Sequence, residues 1–131
     1  MVDDSENTGL AVTSRDYADC RVVSVAGRVD HTNFERFHEA LKAEAETMPG
    51  EGGMVVDLSK LEFITSAGLR ALLLAKKTLG KQDAKLVVSG IRGVVKEVFR
   101  ISKFDALLTV AETPGAAVGK VSPAAAAAYP G

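Results

Sequence analysis

Met54-Val55-Val56-Asp57-Leu58, continued by Ser59-Lys60-Leu61-Glu62-Phe63-Ile64-Thr65-Ser66 and then Ala67-Gly68-Leu69-Arg70, is the stretch from which the fold can be read. Its opening run is nearly all apolar, the pattern of a strand buried on both faces, and it belongs at the centre of a sheet. A strong helix follows from about Ala67 to Gly80, with Lys76, Lys77 and Lys81 at its carboxyl end, where cations suit the helix dipole.

The same alternation extends outward. Upstream, Leu10-Ala11-Val12-Thr13 and Cys20-Arg21-Val22-Val23-Ser24-Val25-Ala26 are β-branched runs separated by Arg15 to Asp19, and they predict an antiparallel hairpin. Gly27-Arg28-Val29-Asp30 closes the second strand. Thr32 or Asn33 can then cap a helix whose apolar positions are Phe34, Phe37, Leu41, Ala45 and Met48, ending near Pro49-Gly50. Downstream, Lys85-Leu86-Val87-Val88-Ser89 predicts another buried strand, and Ile91, Val94, Val95 and Val98 predict a third amphipathic helix ending near Ser102. Phe104, Leu107, Leu108 and Val110 suggest one last short strand. The expected fold is α/β, a single domain with a mixed central sheet of about five strands and three or four helices.

Composition sets the boundaries of function. A chain of 131 residues, 47% apolar and 25% charged, has the size and content of one compact domain with a real core. Its 16 Lys and Arg stand against 17 Asp and Glu, so no overall basic field gathers nucleic acid or anionic lipid. The single Cys20 can make neither an internal disulfide nor a thiolate metal site, which points to a reducing compartment, the cytoplasm. Residues 1–8 are polar and acidic, unlike a secretory signal, and no apolar run approaches the roughly 20 residues that cross a bilayer. The domain itself is expected over 9–111. From 112 to 131 the chain turns to Ala, Pro and Gly, and because a short isolated helix is marginal in water, a flexible tail is expected there.

The stretch between the central strand and its helix also carries the chemistry. It sets Thr65 and Ser66 where free backbone N–H groups and the positive end of the helix dipole point outward. Either hydroxyl can simply cap the helix. Gly68 is unfavourable inside a first helical turn by roughly 1 kcal/mol relative to Ala, unless something must approach the backbone closely.

Three pieces in order, Gly27-Arg28-Val29-Asp30, Asp57-x-Ser59-x-Leu61-x-Phe63 and Thr65-Ser66-Ala67-Gly68-Leu69, resemble the STAS family, the sulfate transporter and anti-sigma factor antagonist domain, over roughly Leu10 to Val110. In the bacterial antagonist type, the serine that matches Ser66 is phosphorylated. The resemblance implies a partner switch without catalytic activity of its own. Unphosphorylated, such a protein sequesters an anti-sigma factor with serine kinase activity and so releases the sigma factor; phosphorylation ends the binding, and a metal-dependent serine phosphatase restores it. Thr65 stands where many phosphorylated members carry Asp, which makes it the secondary acceptor. The implied partner surface comprises Arg28, Asp30, His31, Asn33, Thr65, Ser66, Gly68, Leu69, Arg70 and Leu74, with no catalytic residue, no metal site and no cofactor. Asp30 reads equally well as a cap of the Phe34 helix.

Other readings compete. STAS domains also serve as subunits of transport machines or as small-molecule-binding regulatory modules. A hydrolase or nucleotide-binding enzyme would need a general base or metal cluster beside Ser66, and none is evident in the sequence. His31, Glu35 and His38 share one flank of a helix but lack an evident fourth metal ligand. Neither Gly50-Glu51-Gly52-Gly53 nor Gly90-Ile91-Arg92-Gly93 has the spacing of a nucleotide-binding loop.

Overall fold

In the computed structural model, which describes residues 9–48 and 52–130, the chain folds around one sheet in the order β1-β2-β3-β4-β5. The strands are β1 (Leu10–Tyr17), β2 (Cys20–Val29), β3 (Gly53–Ile64), β4 (Lys85–Ser89) and β5 (Thr109–Ala111). The helices are α1 (Phe34–Glu46), α2 (Ser66–Gly80), α3 (Gly93–Ile101), α4 (Phe104–Leu107), α5 (Pro114–Val121) and α6 (Pro123–Ala128). The first pair of strands is antiparallel and the remaining three pairs are parallel, so the sheet is mixed as the sequence predicts.

Strand alternation sorts the sheet into two faces. Val23, Val25 and Val29 of β2, Met54, Val56 and Leu58 of β3, and Leu86 and Val88 of β4 join Phe37, Leu41, Leu69, Leu72, Leu79, Val95 and Phe99 of α1 to α3 in the larger core. The opposite face contributes Cys20, Val22, Val55, Val87 and Ala111, which pack under Ala117, Val118, Val121 and Ala125 of α5 and α6. Arg21 fastens the hairpin to α1: its guanidinium pairs with Asp16 at 2.7 Å and donates to Thr47 Oγ1 at 2.8 Å and to the Glu44 carbonyl at 3.1 Å. That guanidinium holds the Asp16 carboxyl below the usual range.

Several boundaries differ from the sequence expectations, each for a physical reason. The hairpin strands run on to Tyr17 and Cys20 with Ala18 at φ 53°, so the polar run from Arg15 is mostly strand. β3 does not stop at Leu58. Beyond it the register against β2 shifts, from Ser24 opposite Asp57 to Ala26 opposite Lys60, and this bulge lets an irregular polar sequence stay in the sheet. The last predicted strand is divided: Lys103 turns left-handed at φ 63°, Phe104–Leu107 forms the short α4, and pairing with β4 begins only at Thr109. α1 ends at Glu46 with Thr47 as its C-cap, short of the expected Pro49-Gly50, while residues 49–51, with the expected turn at Gly50-Glu51, and the segment 1–8 lie outside the described residues.

The largest difference is at the carboxyl end, where two helices replace the expected flexible tail and raise the helix count to six among the described residues. Thr113 caps α5 by accepting from the Ala116 N–H at 3.1 Å, and Ser122 caps α6 by accepting from the Ala125 N–H at 3.2 Å. Pro114 and Pro123 follow these caps in the first helical turn, where the missing N–H costs nothing. Short helices of this kind form because the sheet face offers Val22, Val55 and Val87 to cover. Tyr129 closes the arrangement edge-to-face on Tyr17, with ring centroids 5.0 Å apart.

Candidate functional site

The carboxyl ends of β2 and β3 lie side by side. Val29 pairs with Ile64, and the Thr65 N–H extends the ladder to the Val29 carbonyl at 3.1 Å. The Gly27-to-Asn33 segment and the first turn of α2 therefore become neighbours through main-chain pairing alone. Gly27 permits this, since it sits at φ 98° and a Cβ there would stand 2.0 Å from the Gly9 carbonyl oxygen.

Thr65 is the N-cap of α2, its hydroxyl accepting from the Gly68 N–H at 3.3 Å. Ser66 is the first residue of the 15-residue helix and is exposed; among the described residues no hydrogen bond engages its hydroxyl. The two predicted acceptors thus differ in kind: one oxygen holds the helix end and the other faces solvent.

Asp30 does not cap α1. Its Oδ1 accepts from the Thr32 N–H at 2.9 Å and from the Thr32 hydroxyl, and its Oδ2 faces Arg28 Nε at 3.4 Å. The Thr32 hydroxyl bond, with Arg28 and His31 adding charge, holds the Asp30 carboxyl below its ordinary value. Asn33 occupies the N-cap position of α1 without a side-chain capping bond. It is buried instead, accepting from the Asp30 N–H at 2.9 Å and donating to the Arg28 carbonyl at 3.0 Å.

These contacts redistribute the sequence-based surface. Arg28, His31, Ser66, Arg70 and Leu74 are exposed, with Leu74 at 42%, whereas Asn33, Gly68 and Leu69 are buried. Leu69 is a core residue packed with α1 and the sheet, because helical spacing turns it inward from Ser66. The close approach at Gly68 is internal: a Cβ would stand 2.7 Å from Ile64 Cγ1 and 2.8 Å from Val29 Cγ1. The glycine lets α2 settle on the ends of β2 and β3.

Ser66, Arg70 and Leu74, at successive four-residue steps, form an outward stripe along α2 that continues to Lys77 and Lys81. A groove of about 370 Å³ beside it is bordered by His38 and Lys42 of α1. Sequence reasoning placed Phe63 in a family motif but not on the partner surface. It is 36% exposed at the end of β3 and pairs in register with Arg28, an apolar side chain beside the charged loop. Its place after the polar Glu62 offered only a weak signal. Among the described residues no group of three His, Cys, Asp or Glu converges to hold a metal, and no helix is long and apolar enough to cross a membrane.

Comparison with known proteins gives this architecture its class. Residues 12–109 match the family model described as Mlab, STAS domain. The chain belongs to the STAS domain family. Its relatives include BtrV of Bordetella bronchiseptica, named as an anti-sigma factor antagonist, which is 36% identical over 96 residues covering 73% of this chain and 81% of BtrV. Among solved structures, an anti-sigma factor antagonist from Mycobacterium paratuberculosis superposes with a TM-score of 0.75 at 25% identity, covering 86% of this chain and 93% of the other. SpoIIAA, a cell fate determinant from Bacillus, matches in its unphosphorylated form with a TM-score of 0.69 at 18% identity, covering 85% of this chain and 96% of SpoIIAA.

Proposed function

We propose that this STAS domain is an anti-sigma factor antagonist controlled by phosphorylation of Ser66. In its unphosphorylated form it binds an anti-sigma factor with serine kinase activity and so releases the sigma factor, and a metal-dependent serine phosphatase resets it. It acts in the cytoplasm, by binding rather than catalysis. The observation that carries this reading is the Ser66 hydroxyl, exposed at the first position of α2 and free of hydrogen bonds among the described residues. The name of BtrV supports the antagonist role.

The contact surface combines Arg28, Asp30, His31 and Phe63 at the strand ends with the Ser66, Arg70 and Leu74 stripe of α2. Thr65 supports it from beneath as the helix cap. A phosphate on Ser66 adds about −1.5 to −2 charges at pH 7, which the helix N-terminus tolerates and which Arg70, four residues on, can pair. The fold is kept while a close, desolvated interface is lost. A penalty of roughly 3 to 5 kcal/mol weakens affinity by about two hundred to several thousand fold.

Intact-mass and phosphosite mapping of the protein from its own cells, with a pull-down from the same lysate and a Ser66→Ala control, tests this. The expected result is one phosphate at Ser66 and capture of a serine kinase by the unmodified form alone. Absence of phosphate under varied stress, with a transporter ATPase in the pull-down, would overturn the switch and assign the domain to a transport machine.

A further inference from the structure

The face of the sheet under α5 and α6 changes character halfway along. Val22, Val55 and Val87 are covered by the two helices, but the next row across the strands is polar: Thr13 pairs with Ser24, Ser24 with Asp57 and Asp57 with Ser89. Residues paired in register share a face, so these four side chains line up on one surface. That surface is concave. Two adjoining cavities of about 230 and 290 Å³ share Thr13, Ser24 and Asp57 in their walls.

The groups in this trough are not consumed by the fold. Asp57 Oδ1 accepts from the Ser59 N–H at 3.0 Å, satisfying the bulge in β3, while no described residue donates to its Oδ2. Ser89, at the end of the row, lines neither cavity; it is fully buried and its hydroxyl has no partner among the described residues, an arrangement that proteins generally avoid. Asp57 is the one carboxylate in the walls of these two cavities. A cation stands at each end, Lys60 in one cavity and Arg15 in the other, and the Tyr17–Tyr129 pair walls the Arg15 side.

We infer that the trough is a binding site for a small zwitterion of amino-acid size, its ammonium held by Asp57 Oδ2 and the hydroxyls of Thr13 and Ser24, and its carboxylate by Arg15 or Lys60. A central acceptor flanked by cations matches the charge order of such a molecule, and the volume suits it. A simple amine would leave the cations unused, and a polyol would need no charge at all. The site lies on the opposite face of the sheet from the α1 and α2 helices, so its occupancy is independent of the Ser66 reading.

The test is titration of the ¹⁵N-labelled full chain with each common L-amino acid, and with the matching decarboxylated amines and a polyol as controls. Saturable shifts of the Ser24, Asp57 and Ser59 amide signals with at least one amino acid, and at least about tenfold weaker binding of its amine, are expected. Asp57→Asn retains an oxygen for the Ser59 N–H and should abolish binding; Arg15→Gln and Lys60→Gln, both on side chains at the rim, show which cation holds the carboxylate and keep the test decisive if Asp57→Asn does not fold. No saturable shift with any amino acid, equal binding of amines or polyol, or full binding by all three variants would overturn the proposal.

Discussion

The two faces of the sheet are built from different materials. On one face, α1 to α3 bring Phe37, Leu41, Leu72, Leu79 and Phe99 against the strands; on the other, α5 and α6 bring mainly alanine and valine. Large side chains at helical spacing make a thick core that fixes the ends of β2 and β3, and with them the position of Ser66. The alanine-rich cover is thin and short. It shields the amino-terminal half of its face and leaves Thr13, Ser24 and Asp57 in the walls of the cavities beyond it. One face therefore specifies the shape of the domain, and the other leaves polar surface uncovered.

This contrast can be broken most sharply at Phe37, which is fully buried. Phe37→Ala should lower unfolding stability by about 3 to 5 kcal/mol, measured by urea denaturation followed by circular dichroism. A loss below about 1 kcal/mol would mean that this face is not the principal core.

The second measurement concerns the thin cover. Burial first, then the charges of Asp19 and Asp16, push the Cys20 thiol from 9.0 up to about 11. The unfolded thiol ionises before the folded one, so its contribution is complete below pH 9.0 and is lost as pH rises through about 11. Stability should fall by about 2 to 3 kcal/mol across that window and the fall should flatten in Cys20→Ala. Tyr129, also raised by burial, adds to the loss in the same direction.

Smaller effects refine the comparison. Val118→Ala in α5 should cost about 1 to 2 kcal/mol, well under the Phe37 value, by the same denaturation assay. Thr65→Ala removes the cap from α2 and should cost about 1 kcal/mol, whereas Ser66→Ala should change stability by less than about 0.5 kcal/mol. If Ser66→Ala destabilised the fold as much as Thr65→Ala, the division between a capping oxygen and a solvent-facing one would fail.

By itself the sequence determined the α/β class, the hairpin, the central strand and the helix expected from about Ala67, because apolar periodicity and long β-branched runs act over a few neighbouring residues. It also marked Thr65 and Ser66, whose position at a strand-to-helix junction is a local property. Tertiary structure decided what local pattern cannot carry. It turned Leu69 and Gly68 inward, buried Asn33 against the main chain of Arg28 and Asp30, exposed Phe63 beside Arg28, and aligned Thr13, Ser24, Asp57 and Ser89 from four strands into one row. It also formed α5 and α6 from a segment whose composition predicts no stable element, since helices this short persist only when a partner surface distant in sequence covers their apolar side.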